Sequence, residues 1–110
     1  MLLCTSGEVG STPASQPQQH IIEIRAFSFQ PSHTVVAPGD TIVWINRDIV
    51  PHTVTADGGS WKSRRLEEGD VWKMVVENDR GYTYHCAFHP QMKGALGGKL
   101  YLNFHKRTYD

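Results

Sequence analysis

The 110-residue sequence predicts an all-β protein in which seven to eight short strands form a Greek-key β-sandwich. Three observations favour this fold class. Apolar and polar residues alternate with a period of two from His20 onward, clusters of Gly, Pro, Asp, Asn and Ser separate the apolar segments, and no stretch shows helical periodicity. Because the loops of a sandwich gather at its two ends, residues far apart in sequence can meet there.

The alternation begins in the first predicted strand, where Ile22, Ile24 and Ala26 face one side and Glu23 and Arg25 face the other. The remaining strands are predicted over residues 34–36, 41–45, 53–56, 61–66, 71–77, 82–85 and 99–104. Turns are predicted at residues 38–40, 57–60, 67–70 and 78–81, each of which contains glycine.

Length and charge predict one small domain without a basic surface for nucleic acid. A hydrophobic content of 39% suffices for a single modest core, which we place in residues 20–110. Lysine plus arginine equals aspartate plus glutamate at 11 each, so the chain lacks the positive field that nucleic-acid binding needs. No apolar run approaches the ~18 residues of a membrane span, so we expect a soluble folded domain.

Residues 1–19 are rich in Ser, Thr, Pro, Gln and Gly and predict a disordered leader or tether. The Met-Leu-Leu-Cys start is too short for a secretion signal, but it resembles the end of a bacterial lipoprotein signal. One hypothesis is therefore a lipid anchor at Cys4; the alternative is that Cys4 is an incidental thiol of the tail. We expect a periplasmic or other extracytoplasmic location, with a membrane tether if Cys4 is lipidated.

A candidate metal site combines one cysteine, two histidines and one methionine. Cys86, His89 and Met92 have the spacing C-x2-H-x2-M, which fits one tight loop, whereas His52 must arrive from another part of the fold. A thiolate is a soft ligand that favours copper, zinc or iron over magnesium and calcium. Two histidines and a cysteine with a weak axial methionine are typical of blue-copper electron-transfer sites. The pattern predicts one copper ion held in a geometry that suits both oxidation states.

Three alternatives compete with this interpretation. Zinc also binds Cys and His, but the paired Cys-x2-Cys or His-x3-His spacing that it usually uses is absent from the sequence. A disulfide between Cys4 and Cys86 would gain little, because Cys4 lies in the predicted tail. Met92 taken alone would more often pack a core than bind a metal, and only its coincidence with the other three residues favours a ligand.

Two segments carry a family resemblance. Residues 41–52, TIVWINRDIVPH, and residues 82–92, YTYHCAFHPQM, resemble amicyanin of the cupredoxin family of type 1 blue copper proteins, with plastocyanin and pseudoazurin as more distant relatives. The likeness runs from about residue 22 to residue 104. It implies a cupredoxin-like sandwich with the metal site in loops at one end, and His52, Cys86, His89 and Met92 as ligands of one type 1 copper.

The residue after the first ligand histidine departs from the amicyanin pattern. Amicyanin-like chains usually have asparagine there, and this chain has Thr53. The asparagine ties the two ligand loops together by a hydrogen bond, and the threonine hydroxyl can serve in its place.

The resemblance implies an electron carrier that cycles copper between Cu(I) and Cu(II), not an enzyme. His89 would lie at the rim of the site within an apolar collar supplied by Pro51, Phe88, Pro90 and Met92. The alternative function is a copper delivery or storage protein of the cell envelope, which would favour exposed Met-rich or His-rich segments.

A catalytic copper domain is a third possibility. His85 adjoins Cys86 but must point to the opposite face of its strand, and the sequence has no His-x-His pair for a copper cluster. We therefore interpret His85 as an ordinary strand residue. The expected partners are redox proteins such as a dehydrogenase or a c-type cytochrome, and the chain is expected to be a monomer.

Overall fold

The computed structural model describes residues 16–78 and 82–98 together with Leu102. Two four-stranded sheets account for the strands in this part of the chain, in the order β2-β1-β4-β6 and β3-β8-β7-β5. The strands are β1 (Gln19–Arg25), β2 (Ser28–Gln30), β3 (His33–Val35), β4 (Thr41–Asn46), β5 (Thr55–Ala56), β6 (Val71–Val75), β7 (Tyr82–His85) and β8 (Lys93–Gly97). The all-β prediction is confirmed.

The core lies between the two sheets. Ile22 and Ile24 of β1 are fully buried, as their period-two spacing predicts, and so is Trp44 of the central strand β4. The Tyr84 ring from the second sheet packs edge-on against Trp44, with ring centroids 5.4 Å apart, and against Phe29 of β2 at 4.8 Å. Strands β4 and β7 therefore form the rigid centre from which both candidate ligand loops emerge.

The β1–β2 hairpin was not predicted from the sequence. The expected strand included Ala26, but β1 ends at Arg25, and Ala26 and Phe27 form a two-residue turn with φ of 50° and 58°. Two-residue hairpin turns with positive φ usually contain glycine or asparagine. Because this turn contains neither glycine nor asparagine, the sequence pattern did not predict it or the short strand β2 that follows it.

Residues 61–66, predicted as a strand, make only isolated bridges. Leu66 pairs with His52 and Lys62 pairs with Thr55, while the Ser63 hydroxyl accepts the Val54 N–H at 2.9 Å. Between the two bridges, four residue steps on this segment oppose three on its partner, which is the geometry of a bulge. The bulge interrupts the ladder, so the segment lines the His52 loop without forming a regular strand.

The last described strand also differs from the prediction. The chain enters β8 directly after the candidate ligand loop, at Lys93, whereas a strand was expected over residues 99–104. That range lies outside the described residues except for Leu102, whose N–H bonds the Gly98 carbonyl at 3.0 Å in a helical pattern. Residues 1–15, which hold most of the predicted leader, and residues 79–81 of a predicted turn are likewise outside the described residues.

We expect Gly94→Ala to destabilise the protein by about 1–3 kcal/mol. Gly94 faces Tyr84 across the β7–β8 ladder, and a Cβ at this position would overlap the end of that ring. The ring cannot retreat easily, because it is fully buried against Phe29 and Trp44. Urea unfolding of the metal-free protein measures the change.

Gly58→Ala is the matched control, because its added Cβ would meet no atom within 4 Å. It should leave the free energy of unfolding nearly unchanged. Equal stabilities for the two variants would show that the Tyr84 ring is not confined as described.

Candidate metal centre

Three side chains converge at one end of the sandwich. Ligand atoms of His52, Cys86 and His89 all lie within 4.8 Å of one another, close enough to hold one metal ion. The Cys86 Sγ is 3.6 Å from Nδ1 of His52 and 3.7 Å from Nδ1 of His89. His52 and Cys86 are fully buried, and His89 is partly exposed. The structure therefore brings together three of the four residues that the sequence singled out.

The His52 loop follows β4 and is shaped by one buried amide. The Asn46 side chain donates to the carbonyls of Val50 at 3.0 Å and Leu66 at 2.9 Å, and its oxygen accepts the Asp48 N–H at 2.9 Å. Asn46 is fully buried, so these bonds satisfy polar groups that water cannot reach. These hydrogen bonds consequently fix the loop segment that leads to His52.

The orientation of the His52 ring follows from its two neighbours. Its Nε2 lies 2.8 Å from a carboxylate oxygen of Asp48, and its Nδ1 faces the Cys86 sulfur. Because an ionised carboxylate only accepts hydrogen bonds, Nε2 carries the proton and Nδ1 keeps its lone pair for a metal. A histidine whose second nitrogen donates to a carboxylate is a common arrangement among metal ligands.

Asp48 also holds the β1–β2 hairpin. Its two oxygens accept the N–H groups of Ala26 at 2.8 Å and Phe27 at 3.0 Å. Burial raises the pKa of Asp48, but hydrogen bonds from the Phe27 N–H, the His52 ring and the Ala26 N–H hold that pKa below its usual value. The group is therefore a carboxylate at neutral pH.

The second loop is as tight as its spacing predicts. The His89 N–H bonds the Cys86 carbonyl at 3.1 Å, and the Met92 N–H bonds the His89 carbonyl at 2.8 Å. The Cys86 N–H closes the loop on the Met92 carbonyl at 3.2 Å. These bonds fix the backbone of all three residues relative to one another.

Thr53 joins the two loops. Its hydroxyl accepts the Ala87 N–H at 2.8 Å, and its own N–H points at the Cys86 sulfur at 3.4 Å. The threonine therefore makes the link between loops that asparagine usually makes in amicyanin-like chains. Cys86 is a free, buried thiol.

The predicted collar needs one correction. Met92 is only 4% exposed and belongs to the core cluster, so it does not contribute to an apolar rim. Phe88 is 47% exposed, Pro90 is exposed and Pro51 is partly exposed, as a rim requires. The backbone hydrogen bonds of the loop join Met92 to Cys86 and His89, and its side chain packs in the same core cluster as Cys86.

Sequence reasoning missed two residues at this end of the fold. The Phe27 ring is 50% exposed and lies edge-on to His89 at 4.9 Å and to His52 at 5.4 Å between ring centroids. Asp48 was missed as the partner of His52. The four-residue spacing of Asp48 and His52 was a usable signal for Asp48, whereas Phe27 had none because its turn was not predicted.

His85 lies apart from the candidate site, as strand alternation predicts. Its Nδ1 lies 2.6 Å from a carboxylate oxygen of Asp57, the residue after β5, and it is not among the clustered ligand atoms. The structure thus gives it a role in pairing β7 with β5.

The donor set fits copper. A buried thiol with two imidazole nitrogens near it provides one soft and two borderline ligands. Fold and site together define a small copper protein of the sandwich type.

The chain belongs to the plastocyanin/azurin family of copper-binding proteins, whose pattern matches residues 18–99. Amicyanin of Paracoccus denitrificans is 28% identical over 81 residues, which are 69% of this chain and 62% of that protein. Plastocyanin of Nostoc punctiforme is 30% identical over 71 residues, 61% of this chain and 51% of that protein. The chain thus spans between half and two thirds of the length of these relatives.

Solved structures agree. The Cu(I) form of an amicyanin variant is 26% identical with a TM-score of 0.69, covering 74% of this chain and 82% of that one. A purple cupredoxin from Nitrosopumilus maritimus is 28% identical with a TM-score of 0.66, covering 73% and 99%. The resemblance to amicyanin is confirmed. Within the described residues, no helix is long and apolar enough to cross a membrane.

Proposed function

We propose that this protein carries single electrons between redox partners by cycling one bound copper between Cu(I) and Cu(II). The observation that carries the proposal is the asymmetry of the site. Two candidate ligands, His52 and Cys86, are buried and fixed, whereas His89 reaches the surface. A buried metal centre with one partly exposed ligand suits electron transfer, because a partner protein can exchange electrons through that ligand. Such a function needs no substrate-binding site.

Nδ1 of His52, Sγ of Cys86 and Nδ1 of His89 would hold the copper, and the thioether of Met92 would serve as a weak fourth ligand. Copper supplies the one-electron couple when bound. The protein supplies a geometry that changes little, because hydrogen bonds fix both loops and Thr53 joins them. Little ligand movement means a small reorganisation barrier, and this favours rapid transfer.

Electrons would enter and leave through the His89 ring. Around it, the exposed side chains of Phe27, Phe88 and Pro90 offer an apolar surface for a brief protein contact. We expect partners such as a dehydrogenase or a c-type cytochrome. The function does not require catalytic residues, and the buried thiolate set supports retention of copper better than delivery of it.

We also propose an extracytoplasmic location, in keeping with the expected leader in residues 1–19. Lipidation of Cys4 would add a tether to the membrane. Mass spectrometry of the protein isolated from its native membranes distinguishes a lipidated cysteine from a free one.

The proposal is tested by loading the metal-free protein with one equivalent of Cu(II). We expect an intense visible charge-transfer band from the Cys86 thiolate and a reversible one-electron wave in voltammetry. A fully loaded protein that shows only the weak absorption of a tetragonal copper site would refute the proposal.

A further inference from the structure

We propose that Asp48 is a positioning residue that joins the β1–β2 hairpin to the copper centre and tunes the donor strength of His52. The inference rests on the proposed function, since it treats His52 as a copper ligand. The hydrogen bonds of the Asp48 carboxylate support it, and these bonds do not depend on the proposed function.

Three donors converge on Asp48 from two directions. The Ala26 N–H reaches Oδ1 at 2.8 Å, and the Phe27 N–H and the His52 ring share Oδ2 at 3.0 and 2.8 Å. The hairpin and the ligand loop are 22 residues apart in sequence, and this side chain bridges them. A movement of the carboxylate would therefore disturb both elements together.

The hairpin needs this support. Ala26 and Phe27 both adopt the left-handed backbone conformation, with φ of 50° and 58°, which costs roughly 1–2 kcal/mol for each non-glycine residue. Hydrogen bonds from both N–H groups to a charged acceptor offset that cost, because charge-assisted bonds are stronger than neutral ones. The turn thereby holds the Phe27 ring edge-on against His52 and His89.

The Asp48 carboxylate also affects the donor strength of the His52 ring. A negative acceptor at Nε2 makes Nδ1 of His52 a better donor, and this favours the more highly charged Cu(II). Asp48 is only 15% exposed, so water screens this effect weakly. The reduction potential should therefore be lower with the carboxylate than with a neutral group of the same shape.

Asp48→Asn is the test, because an amide keeps the shape but has one acceptor oxygen for three donors. We expect Cu(II) affinity to fall by 10–100-fold. The potential should rise by about 59 mV for each tenfold loss of Cu(II) affinity relative to Cu(I) affinity. Amide exchange at Ala26 and Phe27, followed by NMR in the Cu(I) protein, should become faster.

Asp40→Asn is the matched control. The Asp40 carboxylate accepts the same set of donors, namely two backbone N–H groups from Gln18 and Ala37 and Nε2 of His20, but it precedes β4 whereas the site follows it. Its loss should reduce stability and leave the potential unchanged. Equal shifts in potential for the two variants would mean that Asp48 acts through general stability and would overturn the proposal.

Wild-type NMR provides a measurement that does not depend on the folding of a variant. In the Cu(I) protein, His52 should show a slowly exchanging proton on Nε2, and a ring without that proton would overturn the inference. The two proposals fail differently. A wild-type protein without the thiolate band refutes the proposed function, whereas a normal band with an unchanged Asp48→Asn potential refutes only the role of Asp48.

Discussion

Cys86→Ser is expected to abolish the visible thiolate-to-copper band of the Cu(II) protein completely. The band needs a sulfur donor, and the Cys86 Sγ lies 3.6 Å and 3.7 Å from the Nδ1 atoms of the two candidate histidines. A serine hydroxyl stays protonated near neutral pH and is a hard, weak donor, so copper affinity should also fall steeply. Visible absorption and a copper titration measure the two losses.

The other cysteine of the sequence gives a control of matched chemistry. Cys4→Ser makes the same change in the predicted leader and should leave the band and the copper stoichiometry intact. A band that survives in Cys86→Ser, or disappears in Cys4→Ser, would contradict the assignment of the thiolate. Both variants should be compared with copper fully bound, and the metal-free forms should unfold cooperatively.

Much of the site could be predicted because its constraints are local. The spacing of Cys86, His89 and Met92 admits one tight loop, and hydrogen bonds between these three residues form it. The position of His52 required only that the loop after a buried strand return to the same end of the sandwich. Period-two burial located β1 for the same reason, since alternation is a property of the strand itself.

The rest depended on contacts between distant residues. Phe27 reaches the site because Asp48 holds an unusual turn, and neither residue reveals that pairing by composition or periodicity. The bulge at residues 61–66 likewise depends on the Ser63 hydroxyl replacing a backbone acceptor. A side-chain hydrogen bond that replaces a backbone one in this way overrides a local strand pattern that is otherwise convincing.

Met92 illustrates a different limit. The sequence suggested both an axial ligand and a member of an exposed collar, because a thioether is apolar enough for either environment. Its burial in the core cluster removes the collar role and is compatible with the ligand role. A substitution that changes the donor atom therefore distinguishes a sulfur that binds copper from one that only packs the core.

Met92→Gln should lower the reduction potential while the protein retains copper. An amide oxygen is a harder donor than a thioether, so it would stabilise Cu(II) relative to Cu(I) if it took the place of the Met92 sulfur. The change in potential should exceed that of Asp48→Asn, because it alters a ligand directly rather than the partner of one. Voltammetry of the two loaded proteins at one pH gives the comparison.

Met74→Gln is the control for the polarity of the substitution. Met74 lies on β6, partly buried against the core and opposite Ile42 near the start of β4, whereas the His52 loop follows the end of β4. The same chemical change there should reduce stability without moving the potential. If Met92→Gln also reduced only stability, Met92 would be a packing residue, and copper would be held by His52, Cys86 and His89 alone. A lower potential confined to Met92→Gln would support Met92 as a copper ligand, because the control shows that an amide placed elsewhere against the core does not move the potential.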